Sequence, residues 1–222
     1  MFFKIRISDC YNEQWSGRWW KVASSTIPYG SKLLSIIVYS DATNCDNLGK
    51  TMKHPIYITL GNIPIYLRNK PESKALIAYL PILKATTISE KNSTIFKFAK
   101  RMAFMKSLEI LFDPICKQYE DGTILKINKS HIWCILKLSF IISDLPEASA
   151  FCTTYKSWNS QSPCHTCLVK REKLNNMNLS SENILLRTPD LMKQALRDGN
   201  DKAYSIHPIK NIFWKFKYEN FK

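Results

Sequence analysis

Three short apolar runs, a helical stretch and a fourth apolar run that ends on an aspartate constrain this chain more than anything else in it. Leu33 to Tyr39 is rich in β-branched residues and ends on Ser40-Asp41. His54 to Leu60 is closed by Gly61-Asn62, and Ala75 to Leu80 by Pro81. These runs read as strands, the first of them buried, and their short links predict an antiparallel meander. The first link holds a turn cluster over Asn44 to Gly49. From Ile95 to Phe112 the period changes. Phe98, Met102, Met105, Leu108 and Phe112 recur at spacings of 4, 3, 3 and 4. That pattern predicts a helix with those five on its inner face, stopped at Pro114. Thr123 to Asn128 is a candidate short strand. Ile132 to Ile142 is a buried element followed by Asp144; periodicity leaves helix and strand open, and its β-branched content tilts it to strand. Pro189 to Arg197 reads as a helix, with Thr188 as N-cap and Gly199 beyond its end. Residues 11–29 carry Tyr11, Trp15, Trp19, Trp20 and Tyr29, and read as an aromatic loop closing a core edge. Base stacking is the alternative for these rings.

At 222 residues, 45% hydrophobic and 12% aromatic, the chain has the material for a core, which excludes a disordered basic tail. No run approaches the roughly 18 apolar residues of a membrane helix, since even Ile132 to Ile142 is broken by Lys137. Lys4 and Arg6 interrupt the opening residues too early for a signal peptide. Seven scattered cysteines do not form a secreted disulfide framework, and Cys10, Cys45, Cys116 and Cys134 read as small packed residues. The expected compartment is reducing: the nucleus, or the cytoplasm for an inactive relic.

The net charge of +14 calls for an anionic partner, nucleic acid before membrane. Half of that excess lies between residues 66 and 106, where nine Lys/Arg face two acids. Arg68, Lys70, Lys74, Lys97, Lys100 and Arg101 are the candidates for tracking a phosphate backbone. Lys97, Lys100 and Arg101 are expected on the side of the helix away from its Met/Phe face. A merely solvated helix face stands as the equal alternative.

Two sets of residues can carry chemistry. Asp41 and Asp144 each follow a strongly apolar run, where a buried strand emerges. Carboxylates at the ends of central strands can hold Mg²⁺, which prefers oxygen ligands, although an Asp after a strand is most often a cap. Cys164 and Cys167 form a Cys-x-x-Cys in a polar loop. Such a pair is half of a tetrahedral zinc site, with His165, Cys152 or His207 available as a third ligand. A redox pair and two unligated thiols remain the alternatives.

The order of these motifs resembles a known family. Glu13-Gln14-Trp15-Ser16-Gly17-Arg18-Trp19-Trp20 leads to Ile27-Pro28-Tyr29-Gly30, then to Ile37-Val38-Tyr39-Ser40-Asp41-Ala42-Thr43. His54 to Pro64 follows, then Arg68, Lys70-Pro71 and Ala78-Tyr79-Leu80-Pro81. Ile142-Ser143-Asp144-Leu145-Pro146-Glu147 precedes Cys164-x-x-Cys167-Leu168-Val169. Taken in order, over residues 11 to 175, these resemble the Plavaka transposases, a fungal-rich branch of the CACTA-type cut-and-paste elements.

The resemblance implies an α/β fold with a ribonuclease-H-like mixed sheet: three antiparallel strands, a helix and a fourth strand, then an irregular zinc-binding-type segment. It makes 1–30 an aromatic segment packed on the core, 31–148 the first part of the catalytic core, and 149–222 an incomplete Cys-x-x-Cys segment with a tail. It implies that Asp41 and Asp144 ligate Mg²⁺ or Mn²⁺, and that Cys164, Cys167 and His207 are the zinc candidates. DNA is the implied partner, with self-association as in transposase assemblies. The implied parent reaction is metal-dependent cleavage of transposon ends and strand transfer into target DNA. A third acid is expected well beyond the cysteine pair. Asp190, Asp198, Asp201 and Glu219 are available, but none sits in a matching context. The chain is therefore expected to be the front part of a catalytic domain and inactive alone. A non-catalytic DNA-binding or zinc-stabilised module of transposase descent is the other reading.

Overall fold

The computed structural model describes residues 13–46, 51–157 and 159–216. Cys10, Tyr11, Glu219 and the 47–49 half of the expected turn lie outside them. The chain forms two compact units, one drawn from Met1–Leu80, Ile110–Ile142 and the segment from Phe216, the other from Pro81–Glu109 and Ser143–Lys215.

The first unit opens with helix α1 (Arg18–Ser25), inside the stretch expected to be a loop. No side chain caps it at Gly17, and its one fully buried residue is Ala23, so packing rather than a capping signal holds it. Trp19 and Trp20 meet edge to face at 6.4 Å, whereas Tyr29 is fully solvent-exposed and closes nothing. Strand β1 (Lys32–Ser40) follows, then a two-stranded ribbon of β2 (Thr43–Asn44) and β3 (Met52–Lys53). Strand β4 (Pro55–Leu60), the short helix α2 (Ile65–Arg68) and strand β5 (Ala75–Tyr79) complete the first half of the unit. After helices α3 (Ile88–Asn92) and α4 (Thr94–Gln118), strands β6 (Thr123–Ile127) and β7 (Ser130–Ile142) return to the same sheet.

That sheet has the order β5-β4-β1-β7-β6 and is mixed. β1, β4 and β5 make the expected antiparallel meander, and β6 pairs antiparallel with β7. β7 runs parallel to β1, so Ile132 to Ile142 is indeed a strand. The central strand is the apolar one: Ile36, Ile37 and Val38 are buried, as are Ser35 and Ser40. A buried hydroxyl needs a partner. The Ser35 oxygen lies 2.7 Å from Gln14 Oε1 and 2.8 Å from Ser139 Oγ. Ser139 is the extra residue of a β-bulge, because Ile36 pairs with Leu138 and Ile37 with Phe140; its hydroxyl donates to the Ile36 carbonyl. Lys137 is buried on β7, with its ammonium 2.5 Å from Thr26 Oγ1 and 5.1 Å from the centre of the Tyr119 ring. Gly122, at φ +73°, leads into β6, and a side chain there would meet the Cys134 carbonyl.

Helix α4 does not stop at Pro114 but continues to Gln118. Proline removes one donor, the one that would reach the Ile110 carbonyl, and Ile110 is exposed, so water can satisfy that oxygen. Its inner face also differs from the expected stripe. Met105, Leu108 and Phe112 are buried, but Phe98 and Met102 are 45% and 43% exposed.

The second unit holds α3, the first turns of α4, α5 (Leu145–Phe151) and α6 (Pro189–Arg197), joined by long irregular segments. Thr188 caps α6 by accepting from the Leu191 amide, as its sequence predicts. The core is Met192, Ala195 and Ile206, covered by Leu168, Leu191, Leu196, Tyr204 and Trp214. Phe151 sits edge to face between Phe104 and Phe213, at 5.3 and 5.8 Å. Irregular backbone must still satisfy its carbonyls. Arg187 does much of this. Its guanidinium donates to the carbonyls of Cys164, Cys167, Tyr204 and Ser162 at 2.6 to 3.2 Å.

Candidate functional site

The ends of β1 and β7 define the candidate site. The strands are parallel neighbours, and past the bulge Tyr39 pairs with Ile142. Each candidate aspartate lies two residues beyond that pair. Asp41, in the first unit, is half-buried and its Oδ2 accepts from the Tyr39 hydroxyl at 3.2 Å. Next to it the buried Ser40 hydroxyl lies 3.0 Å from His54 Nε2. His54 is therefore a packed histidine rather than a loose surface one.

Asp144 belongs to the second unit, where it is the N-cap of α5. Its Oδ1 accepts from the Glu147 amide at 2.7 Å. The commoner fate of an aspartate after a strand is thus realised here, and it uses only one of the two oxygens. Helix α5 was not anticipated, although Asp144-Leu145-Pro146-Glu147 carries its signal: a cap, an early proline and a first-turn acid.

The basic residues divide between the units. Arg68, in the first, is engaged: its guanidinium lies 3.6 Å from the Glu13 carboxylate, both side chains are largely buried, and it donates to the Gly61 carbonyl. Lys70 and Lys74 are exposed. In the second unit Lys97 and Lys100 are exposed, whereas Arg101 is half-buried. Arg101 is in line with Met105, Leu108 and Phe112, at spacings of 4, 3 and 4, so it lies on the inner face of α4 and not away from it.

Of the loop residues around Arg101, the sequence singled out only His207. Thr154 bridges Ile206, the Tyr155 amide donates to the Ser205 carbonyl, and the His207 amide donates to the Thr153 carbonyl. The Tyr155 and His207 rings consequently lie 4.7 Å apart. Burial, with the Arg101 and Lys156 charges beside it, pushes the His207 imidazole down to about 4. Burial lowers Lys156 as well; Asp144 and Glu147 oppose that shift, while Lys100 and Arg101 add to it. No periodicity or motif marks Lys156, which reaches this cluster only through the pairing of 153–155 with 205–207.

Cys164 and Cys167 are both free thiols. Burial alone would raise Cys164, but hydrogen bonds from the Thr166 hydroxyl and amide hold it below the usual thiol value. Cys167 is raised by burial, and Cys152 is raised by burial to about 11. Among the described residues no three His, Cys, Asp or Glu side chains converge as a metal-holding group. His207 instead packs against the Tyr155 ring at a tilt of 47°. Of the other thiols, Cys134 is buried as expected, while Cys45 is exposed.

A groove of about 660 Å³ lies at the other end of β1, lined by Trp20, Ile27, Tyr29, Lys32 and Asn62 among others. It carries no acid, cysteine or histidine, so it does not compete as a metal site. No helix among the described residues is long and apolar enough to cross a membrane. Comparison with known proteins gives one result: the family model described as Plavaka transposase matches residues 4–220, nearly the whole chain. No curated protein and no solved structure matches it.

Proposed function

The chain belongs to the Plavaka transposase family, and we propose that Asp41 and Asp144 are two of the carboxylates of its DNA-cleaving site. The observation that carries the proposal is the parallel pairing of β1 with β7, in which Tyr39 stands opposite Ile142. Both strands leave the sheet at one edge, two residues before each aspartate. The meander followed by a parallel strand beside β1 is also the order of a ribonuclease-H-like core. One departure is that β6 precedes β7 in the chain and occupies the sheet edge beyond it.

The donor set fits a hard divalent cation. Each carboxylate has one oxygen held by a neighbouring donor, Tyr39 or the Glu147 amide, and a second with no hydrogen bond from a described residue. Bound there, Mg²⁺ or Mn²⁺ supplies polarisation of the scissile phosphate and a more acidic attacking water. The protein's own part is orientation. The Tyr39 hydroxyl fixes the Asp41 carboxylate, the α5 amide fixes that of Asp144, and Lys70, Lys74, Lys97 and Lys100 offer charge to the DNA backbone. The overall reaction is hydrolysis of a phosphodiester at a transposon end, releasing a 3′-hydroxyl that then attacks target DNA. Cys164 and Cys167 supply half of a tetrahedral zinc set, and the described residues do not complete it, so no step is assigned to zinc.

Among the described residues no three His, Cys, Asp or Glu side chains form a metal-holding group, so cleavage by this chain is expected to fall orders of magnitude below that of a complete site. The test is a Mn²⁺-dependent nicking assay on DNA carrying the element's ends. Little or no nicking by the chain is expected, and any that occurs should vanish in Asp41→Ala. Nicking that survives Asp41→Ala removes Asp41 from the site. The same lack of a three-ligand group favours a second reading, a non-catalytic DNA-binding module of transposase descent. A chain that binds DNA and takes up no Mn²⁺ is that module.

A further inference from the structure

Arg101 is the unexplained cation of the second unit. It is half-buried on the inner face of α4, yet it makes no hydrogen bond or salt bridge with any described residue. Arg187 and Arg68 show what this protein does elsewhere with a guanidinium taken out of water: one is bonded to four carbonyls, the other to a carboxylate and a carbonyl. Withdrawing such a group from water without an acceptor is unfavourable. The neighbours do not compensate. Burial lowers Arg101, and the only opposing influence is Tyr155, which is neutral near pH 7. Lys100 and Lys156 add positive charge to the same place, and His207 adds a ring that is itself neutral. Asp144 and Glu147 act on Lys156, and Asp201 acts on Tyr155 and His207. None of these carboxylates lies within 4 Å of the Arg101 guanidinium.

We infer that Arg101 and Lys156, with Lys100 beside them, form a cradle for one phosphodiester of the DNA backbone and hold it next to Asp144. The inference rests on the proposed function in one respect, the role given to Asp144. The rest is the half-burial of Arg101 without an acceptor, the packing of Phe104 on Phe151 that brings this part of α4 to the segment before Lys156, and the positive charge around it. A guanidinium can grip two oxygens of one phosphate, and the Lys156 ammonium can meet the same group as a point charge. Bridging by a phosphate also removes the repulsion among the three cations. Lys156 is therefore a positioning residue for the DNA strand, and the Thr154–Ile206 bridge holds the segment that carries it.

The experiment is fluorescence anisotropy of a labelled DNA duplex with the full chain over a series of salt concentrations. Arg101→Gln and Lys156→Gln should each weaken binding about tenfold and lower the salt slope by roughly one phosphate contact. The double variant should be little worse than either single one, because both lose the same phosphate. Lys84→Gln, an exposed charge of the same basic segment, should change the slope less than either. Lys156 is exposed, so its variant should fold even if that of Arg101 does not, and circular dichroism checks this. Wild-type affinity and slope in folded Lys156→Gln would overturn the inference. So would inorganic phosphate binding that Arg101→Gln abolishes while DNA affinity in that folded variant stays at the wild-type value, since the site would then serve a small free anion. Mn²⁺ uptake, read in the same variants, separates the two proposals. Retained uptake with lost DNA affinity supports the cradle, and lost uptake in Asp144→Asn with these DNA effects intact leaves the cradle standing without the metal.

Discussion

Asp144 combines two demands on one side chain. As N-cap it satisfies the Glu147 amide at 2.7 Å, and as a proposed ligand it offers its other oxygen. The two roles separate by substitution. Asp144→Ala should destabilise the protein by about 1 kcal/mol, read as a lower urea midpoint, while Asp144→Ser should keep the cap and stay within a few tenths of wild type. Arg187 poses the opposite case, a half-buried charge bonded to four backbone carbonyls. Arg187→Ala should cost about 3 kcal/mol or more, because four carbonyls lose a charged donor at once. Trp214 fluorescence during urea unfolding reports this, since that ring covers the second unit's core. At this scale the sequence was partly legible. The aspartates stood out because each follows an apolar run. Arg187 and Lys156 could not, because their partners come from backbone and loops distant in the chain.

Helix α4 shows how far pattern reasoning carries an element. Its period was clear, yet Pro114 did not end it, and Phe98 and Met102 remain nearly half exposed. Periodicity records which residues could share a face, not what the rest of the chain brings to cover it. Pro114→Ala should therefore stabilise the protein by roughly 1–3 kcal/mol, since alanine restores a donor to the Ile110 carbonyl. Denaturant unfolding followed by circular dichroism checks it. Farther along, Glu109 accepts from Lys106 at 2.8 Å and Lys215 at 2.6 Å, and these hydrogen bonds, then the charges themselves, hold its carboxyl at about 2 instead of 4.5. A carboxyl depressed in the folded state stabilises it above pH 4.5 and ceases to do so as pH falls through 2. Glu109→Gln should flatten the pH dependence of unfolding over that window, measured by thermal melts. The strands were the most legible elements. β1, β4, β5 and β7 fall within a residue or two of their apolar runs; β1, at the centre of the sheet, is buried along most of its length, whereas β5 is an edge strand and largely exposed. Helix α1 was missed, since it has no side-chain cap and only one fully buried residue.

For the molecule as a whole, the basic charge does not reduce to one stripe. Arg68, Lys70 and Lys74 belong to one unit and Lys97, Lys100 and Arg101 to the other, and two of the six arginines and lysines face inward rather than outward. Charge counting along the sequence could locate the excess but not its direction. Family membership makes DNA the partner to test, and the parallel pairing of β1 with β7 makes the edge beyond Tyr39 and Ile142 the place to look for its chemistry. The most direct measurement is Mn²⁺ binding followed by the loss of the free-ion electron paramagnetic resonance signal, for wild type, Asp41→Asn and Asp144→Ser. A shared site requires that wild type take up the ion and that either substitution alone abolish uptake while the urea midpoint of Asp144→Ser holds. Uptake unchanged by either substitution, or lost with only one of them, would contradict a site built from both aspartates.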